Sequence, residues 1–135
     1  MKNTFIYIAL MLVLCLSKQV NAVNYTWSGT MSTAWNNANN WSPNSGFPGG
    51  GDNATIVSAT NMPLLDMDRT ISALTVTSGT LDLNTFTLQC NGNVNANGGT
   101  IANGTLKPRG NQGNFAGTYV DVRVDALCGS IKLSG

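Results

Sequence analysis

From about residue 55 onward, apolar side chains recur in short alternating runs. Ile71, Leu74 and Val76 form one, followed by Leu81 with Leu83, then Phe86, Leu88 and Cys90. Val120, Val122 and Val124 form another, and Ile131 with Leu133 the last. A period of two puts such residues on one face of a pleated strand. The Gly, Asn and Ser residues between the runs favour turns. No stretch beyond residue 22 carries a useful i, i+3, i+4 apolar stripe, and strong helix formers are scarce there. The pattern predicts an all-β chain.

The runs are punctuated by a repeat. Gly followed by Thr or Ser and then an apolar residue occurs five times: Gly79-Thr80-Leu81, Gly99-Thr100-Ile101, Gly104-Thr105-Leu106, Gly117-Thr118-Tyr119 and Gly129-Ser130-Ile131. Gly79, Gly99 and Gly117 stand 20 and then 18 positions apart. Several short strands per period of that length suit the coil of a β-solenoid, whose coils bury their apolar faces only by stacking. Glycine suits corners that need positive φ. Asn84, Asn91, Asn93, Asn95, Asn97 and Asn103 are expected at those corners, where asparagine tolerates the left-handed region and can ladder between coils. The expected fold is a right-handed parallel β-helix (β-solenoid), with an antiparallel β-sandwich as the alternative.

The first 22 residues follow a different pattern. Lys2 precedes an unbroken apolar run from Phe5 to Leu16, and Val20-Asn21-Ala22 offers short residues before a cut. That is the layout of a secretory signal peptide, and the run is too short to span a bilayer. Cleavage after Ala22 leaves 113 of the 135 residues, enough for one small domain. The exported part divides into a Trp- and Asn-rich cap, 23–54, and the coils, 55–135. Its end, Ile131-Lys132-Leu133-Ser134-Gly135, stays strand-like without a polar cap. It therefore reads as part of a longer protein or a truncated copy, with end-to-end self-association expected of an open stack.

Composition narrows the function. After the signal, five Lys or Arg face six Asp, and neither Glu nor His occurs anywhere. Neither a basic nucleic-acid footprint nor a polybasic membrane patch is present. Without His or Glu, acid–base chemistry falls to Asp, Lys, Tyr or Cys alone, so no enzyme, cofactor or metal is expected. The remote enzymatic alternative is a fragment of a β-helix polysaccharide-degrading enzyme, using Arg109 or Arg123 with Asp121 and Asp125. Asp66 with Asp68, or Asp121 with Asp125, could offer oxygen ligands to Ca²⁺, but solvated strand ends explain them as well. Gly49-Gly50-Gly51-Asp52 lacks the Lys and the helix of a phosphate loop. Four sequons begin at Asn24, Asn40, Asn53 and Asn103.

Cys15 leaves with the signal, so Cys90 and Cys128 are the exported cysteines. Export permits a disulfide between them. In a regular solenoid, however, they would stand two coils apart, roughly 9–10 Å, beyond what the bond spans. Two separate buried thiols are the other reading.

The most specific segment is Tyr25-Thr26-Trp27-Ser28-Gly29, then Trp35, Asn40-Trp41-Ser42, Phe47-Pro48 and Gly51-Asp52-Asn53-Ala54-Thr55-Ile56. It resembles the opening repeat region of secreted bacterial adhesin-like, autotransporter-passenger-like β-helix surface proteins. The resemblance covers residues 24–90 well and the rest loosely. It implies a non-catalytic, cell-surface or extracellular structural or adhesin-type module whose partner is a surface glycan or protein. Trp27, Trp35 and Trp41 are then expected to cover the open end of the first coil. The alternative is a carbohydrate-binding platform built from Tyr25, Trp27, Trp35 and Trp41.

Overall fold

The computed structural model describes residues 21–110, 113–126 and 131–132. The export segment through Val20, Cys128, Gly129-Ser130 and Leu133 lie outside the described residues.

Twelve short strands and a single 3-10 turn make up the described regular structure. In chain order they are β1 (Asn24–Trp27), the turn Ala38–Asn40, β2 (Trp41–Ser42), β3 (Asn53–Ile56), β4 (Arg69–Ile71) and β5 (Ala73–Val76). Next come β6 (Thr80–Asp82), β7 (Thr87–Cys90), β8 (Val94–Asn95) and β9 (Thr100–Pro108). The last are β10 (Gly113–Asn114), β11 (Thr118–Val124) and β12 (Ile131–Lys132). Every named strand pairing is parallel except that of β1 with β2. The antiparallel sandwich is therefore excluded, and the chain is a β-solenoid of about four turns.

The coils stack on three faces. One is a seven-stranded sheet ordered β12-β10-β8-β5-β3-β1-β2. The second stacks β6 on the first half of β9, and that half on the first half of β11. The third runs through β4, β7 and the second halves of β9 and β11. Both long strands turn a corner at a single left-handed residue, Asn103 at φ 59° and Asp121 at φ 53°.

Alternation places one side chain of each pair inward, and stacking lines them into columns. Ala54, Leu74 and Val94 form one column, and Leu81, Ile101 and Tyr119 another. Leu88, Leu106 and Val124 form a third. From Ala54 through Leu106 these column residues are buried, whereas Tyr119, Val122 and Val124 of β11 are half-buried. Cys90 is buried in the same interior with a free thiol, and burial pushes that thiol well above its ordinary pKa.

The repeat in the sequence is the coil itself. Thr80 pairs with Thr100 and Thr100 with Thr118, so Gly79, Gly99 and Gly117 fall at one corner of successive coils. The reason for glycine there differs from the expectation. Gly79 has φ +75°, but Gly99 and Gly117 do not adopt positive φ. Those two are required by close approach, because a Cβ on Gly99 would meet Gly79 O and one on Gly117 would meet Gly99 O. The asparagines divide as well. Asn84 and Asn103 take left-handed φ, joined by Thr85 and Asp121, while Asn91, Asn93, Asn95 and Asn97 do not.

Candidate functional site

The aromatic segment forms one end of the stack. β2 is the outermost strand of the seven-stranded sheet and is antiparallel to β1, with Trp27 opposite Trp41. Trp41 lies at the centre of an edge-to-face cluster, with ring centroids 4.9 Å from Trp27, 4.7 Å from Trp35 and 6.2 Å from Tyr25. Such geometry sets the positive ring edge against the negative face. The Trp27 Nε1–H donates to Asn61 O at 2.7 Å and the Trp41 Nε1–H to Trp35 O at 2.8 Å.

Tyr25, Trp27, Trp35 and Trp41 are only 6, 1, 0 and 2 % exposed. A sugar platform needs open ring faces, and these rings spend theirs on one another. The glycan platform of Tyr25, Trp27, Trp35 and Trp41 is corrected accordingly: the four side chains belong to the interior.

Asn40 organises the loop over this cluster. Its side chain is fully buried. Its Oδ1 accepts from the N–H groups of Met31 and Ser32, both at 3.0 Å. Its Nδ2 donates to Ser32 Oγ and Ala34 O, and its backbone carbonyl accepts from Ser28 and Gly29. A buried amide survives only when its donors and acceptors are met, as they are here. The folded chain thus hides the Asn40 sequon. Read as one of many asparagines, Asn40 gave no sign of this role beyond its place between two tryptophans.

Several of the acidic side chains have partners within the fold. Asp66 forms a bidentate pair with Arg69, whose guanidinium lies 5.0 Å over the Phe47 ring. Asp68 Oδ1 accepts from Thr87 N at 2.8 Å. Asp52 closes the glycine loop by accepting from Gly49 N and Val23 N. Asp66 and Asp68 thus each have a partner within the fold. Among the described residues no three His, Cys, Asp or Glu side chains gather where a metal could sit.

Of the remote enzymatic set, Arg109 donates to Asp125 O at 3.3 Å and Lys107 Nζ lies 3.9 Å from the Asp125 carboxylate. Asp121 and Arg123 are exposed on β11.

The outward face of the seven-stranded sheet has a different character. Thr26, Thr55, Thr75 and Asn95 stand in register on consecutive coils. Beside them Asn24, Asn53 and Ala73 form a second column, in which Asn53 Nδ2 donates to Asn24 Oδ1 at 2.7 Å. Rungs about 4.8 Å apart carry these groups. From Asn24 to Asn95 both columns hold only hydroxyl, amide and methyl groups. Asp66, Arg69, Lys107, Arg109 and Asp125 belong to the other faces and their corners, while the column itself continues from Asn95 through Asn114 to Lys132 of β12.

No protein-family model, curated protein or solved structure matches the chain. No helix among the described residues is long and apolar enough to cross a membrane.

Proposed function

We propose that this chain is an exported, non-catalytic structural or adhesin-type module of the cell surface, related to the β-helix passengers its opening segment resembles. The observation that carries this reading is the uncharged hydroxyl ladder of Thr26, Thr55 and Thr75 on the seven-stranded sheet, flanked by the amides of Asn24 and Asn53. Side chains fixed in register by backbone pairing are ordered before contact, which lowers the entropic cost of binding. A hydroxyl and amide surface without charge suits a neutral glycan or the polar surface of another protein. The absence of Glu and His from the whole chain is the sequence support for a non-catalytic role. Export rests on Lys2, the apolar run Phe5 to Leu16 and Val20-Asn21-Ala22.

The test is a binding measurement on secreted protein. Its intact mass should correspond to a chain beginning at Val23. That chain should bind a panel of neutral surface glycans or target cells. The double variant Thr55→Lys, Thr75→Lys should abolish binding while unfolding at nearly the wild-type temperature. Unchanged binding by a folded double variant, or release of sugar ends from a polysaccharide by the wild type, would overturn the reading.

A further inference from the structure

Three Asn-Gly pairs occur among the described residues, at Asn91-Gly92, Asn97-Gly98 and Asn103-Gly104. Asn-Gly is the dipeptide most open to self-modification, because glycine offers no side chain to obstruct attack by its own backbone nitrogen. The fold treats the three differently. Gly92 N–H donates to Ser72 O at 2.6 Å, and Asn91 Oδ1 accepts from Gln89 Nε2. Asn103 is tied by its Nδ2 to Asp82 Oδ2 at 3.0 Å and sits in the left-handed region at φ 59°.

Asn97 and Gly98 are both exposed, at the bend between β8 and β9. Among the described residues neither the Asn97 side chain nor the Gly98 N–H has a hydrogen-bond partner.

We propose that Asn97-Gly98 is a site of spontaneous deamidation in the folded protein, while the fold protects Asn91 and Asn103. The Gly98 nitrogen attacks Cγ of Asn97, forming the N–Cγ bond of a five-membered succinimide. The Cγ–Nδ2 bond breaks, and ammonia leaves carrying the proton lost from the Gly98 nitrogen. Water then opens the ring at either carbonyl, giving an aspartyl or isoaspartyl linkage. A carboxylate thereby arises at the margin of the uncharged face. The chemistry is independent of the proposed adhesive role.

Purified secreted chain, aged at mildly alkaline pH, is to be digested and mapped by mass spectrometry. The peptide containing Asn97 should gain one mass unit and an isoaspartyl fraction, roughly tenfold faster than at Asn91, the factor one retained backbone hydrogen bond supplies, and faster than at Asn103, whose amide is held by Asp82. In denaturant the three rates should converge. Asn97→Gln should stop the conversion in the native chain, since glutamine must close a slower six-membered ring. Equal native rates, a lead for Asn91 or Asn103, or a native chain inert at Asn97 while the denatured chain reacts, each overturns the proposal.

Discussion

Tyr119 shows how a single side chain ties this fold to its solvent. Its ring takes the inward place below Ile101, but its hydroxyl is buried without a hydrogen-bond partner. Burial penalises the phenolate, and the pKa is pushed up to about 12. The ordinary value, near 10, applies in the unfolded chain. The folded state therefore keeps its proton where the unfolded state loses it. Its contribution to stability is fully present below about pH 10 and declines through about pH 12. Urea unfolding of the wild type should show that decline, and Tyr119→Phe should flatten it without loss at neutral pH, since the variant deletes an unpaired polar group. Parallel alkaline losses in both proteins would assign the effect elsewhere.

At the scale of the element, the corner following β5 and β8 decides whether coils can stack. The space a Cβ would need at Gly99 already holds Val76 Cγ1 and Gly79 O. Gly99→Ala must therefore push two coils apart, and overpacking of this kind costs about 1–3 kcal/mol. Denaturant unfolding should show a lower midpoint with an unchanged slope. A Gly99→Ala chain as stable as the wild type would mean that the corner yields freely. The spacing of Gly79, Gly99 and Gly117 was legible in the sequence because each glycine opens a strand of matching register. The physical need at Gly99 and Gly117 was not, since a clash with the preceding coil is a long-range fact that a turn propensity does not contain. For the same reason alternation revealed β5 to β7, while the bonding of Asn40 stayed hidden. Its partners Met31, Ser32 and Ala34 come together only through the loop they build.

For the whole molecule, the tryptophan cluster holds one end of the stack in a closed form. Trp41 touches the rings of Tyr25, Trp27 and Trp35, so removing it opens a cavity bordered by all three. Trp41→Ala should cost roughly 3–5 kcal/mol, as other large aromatic truncations do. The expected readout is a matching drop in unfolding free energy, together with increased quenching of the remaining indole fluorescence. A variant of wild-type stability would show that the cluster decorates the coils without supporting them. The placement of three aromatics ahead of the repeat pointed to this end in the sequence. Their burial, which separates an interior cluster from a sugar platform, depended on β2 folding back antiparallel onto β1, and no spacing announced that reversal.

The coils also differ in how they round the corner between the second and third faces. Four residues, Leu83 to Phe86, separate Asp82 from Thr87, whereas two residues make the same passage from Ala102 to Thr105 and from Val120 to Arg123. The strands on either side nevertheless keep one register. Coil length is thus adjustable at this position, and Asn84 and Thr85, both exposed, carry the surplus. A foreign peptide spliced between Asn84 and Thr85 should be displayed as a loop with little change in melting temperature. The same splice between Asn103 and Gly104, where the passage is shortest and packs on Leu83, should lower it clearly. Repeat arrays that acquire loops in this way gain new surface without redesigning a core, and the longer passage at Asn84 and Thr85 is where this array has room for one.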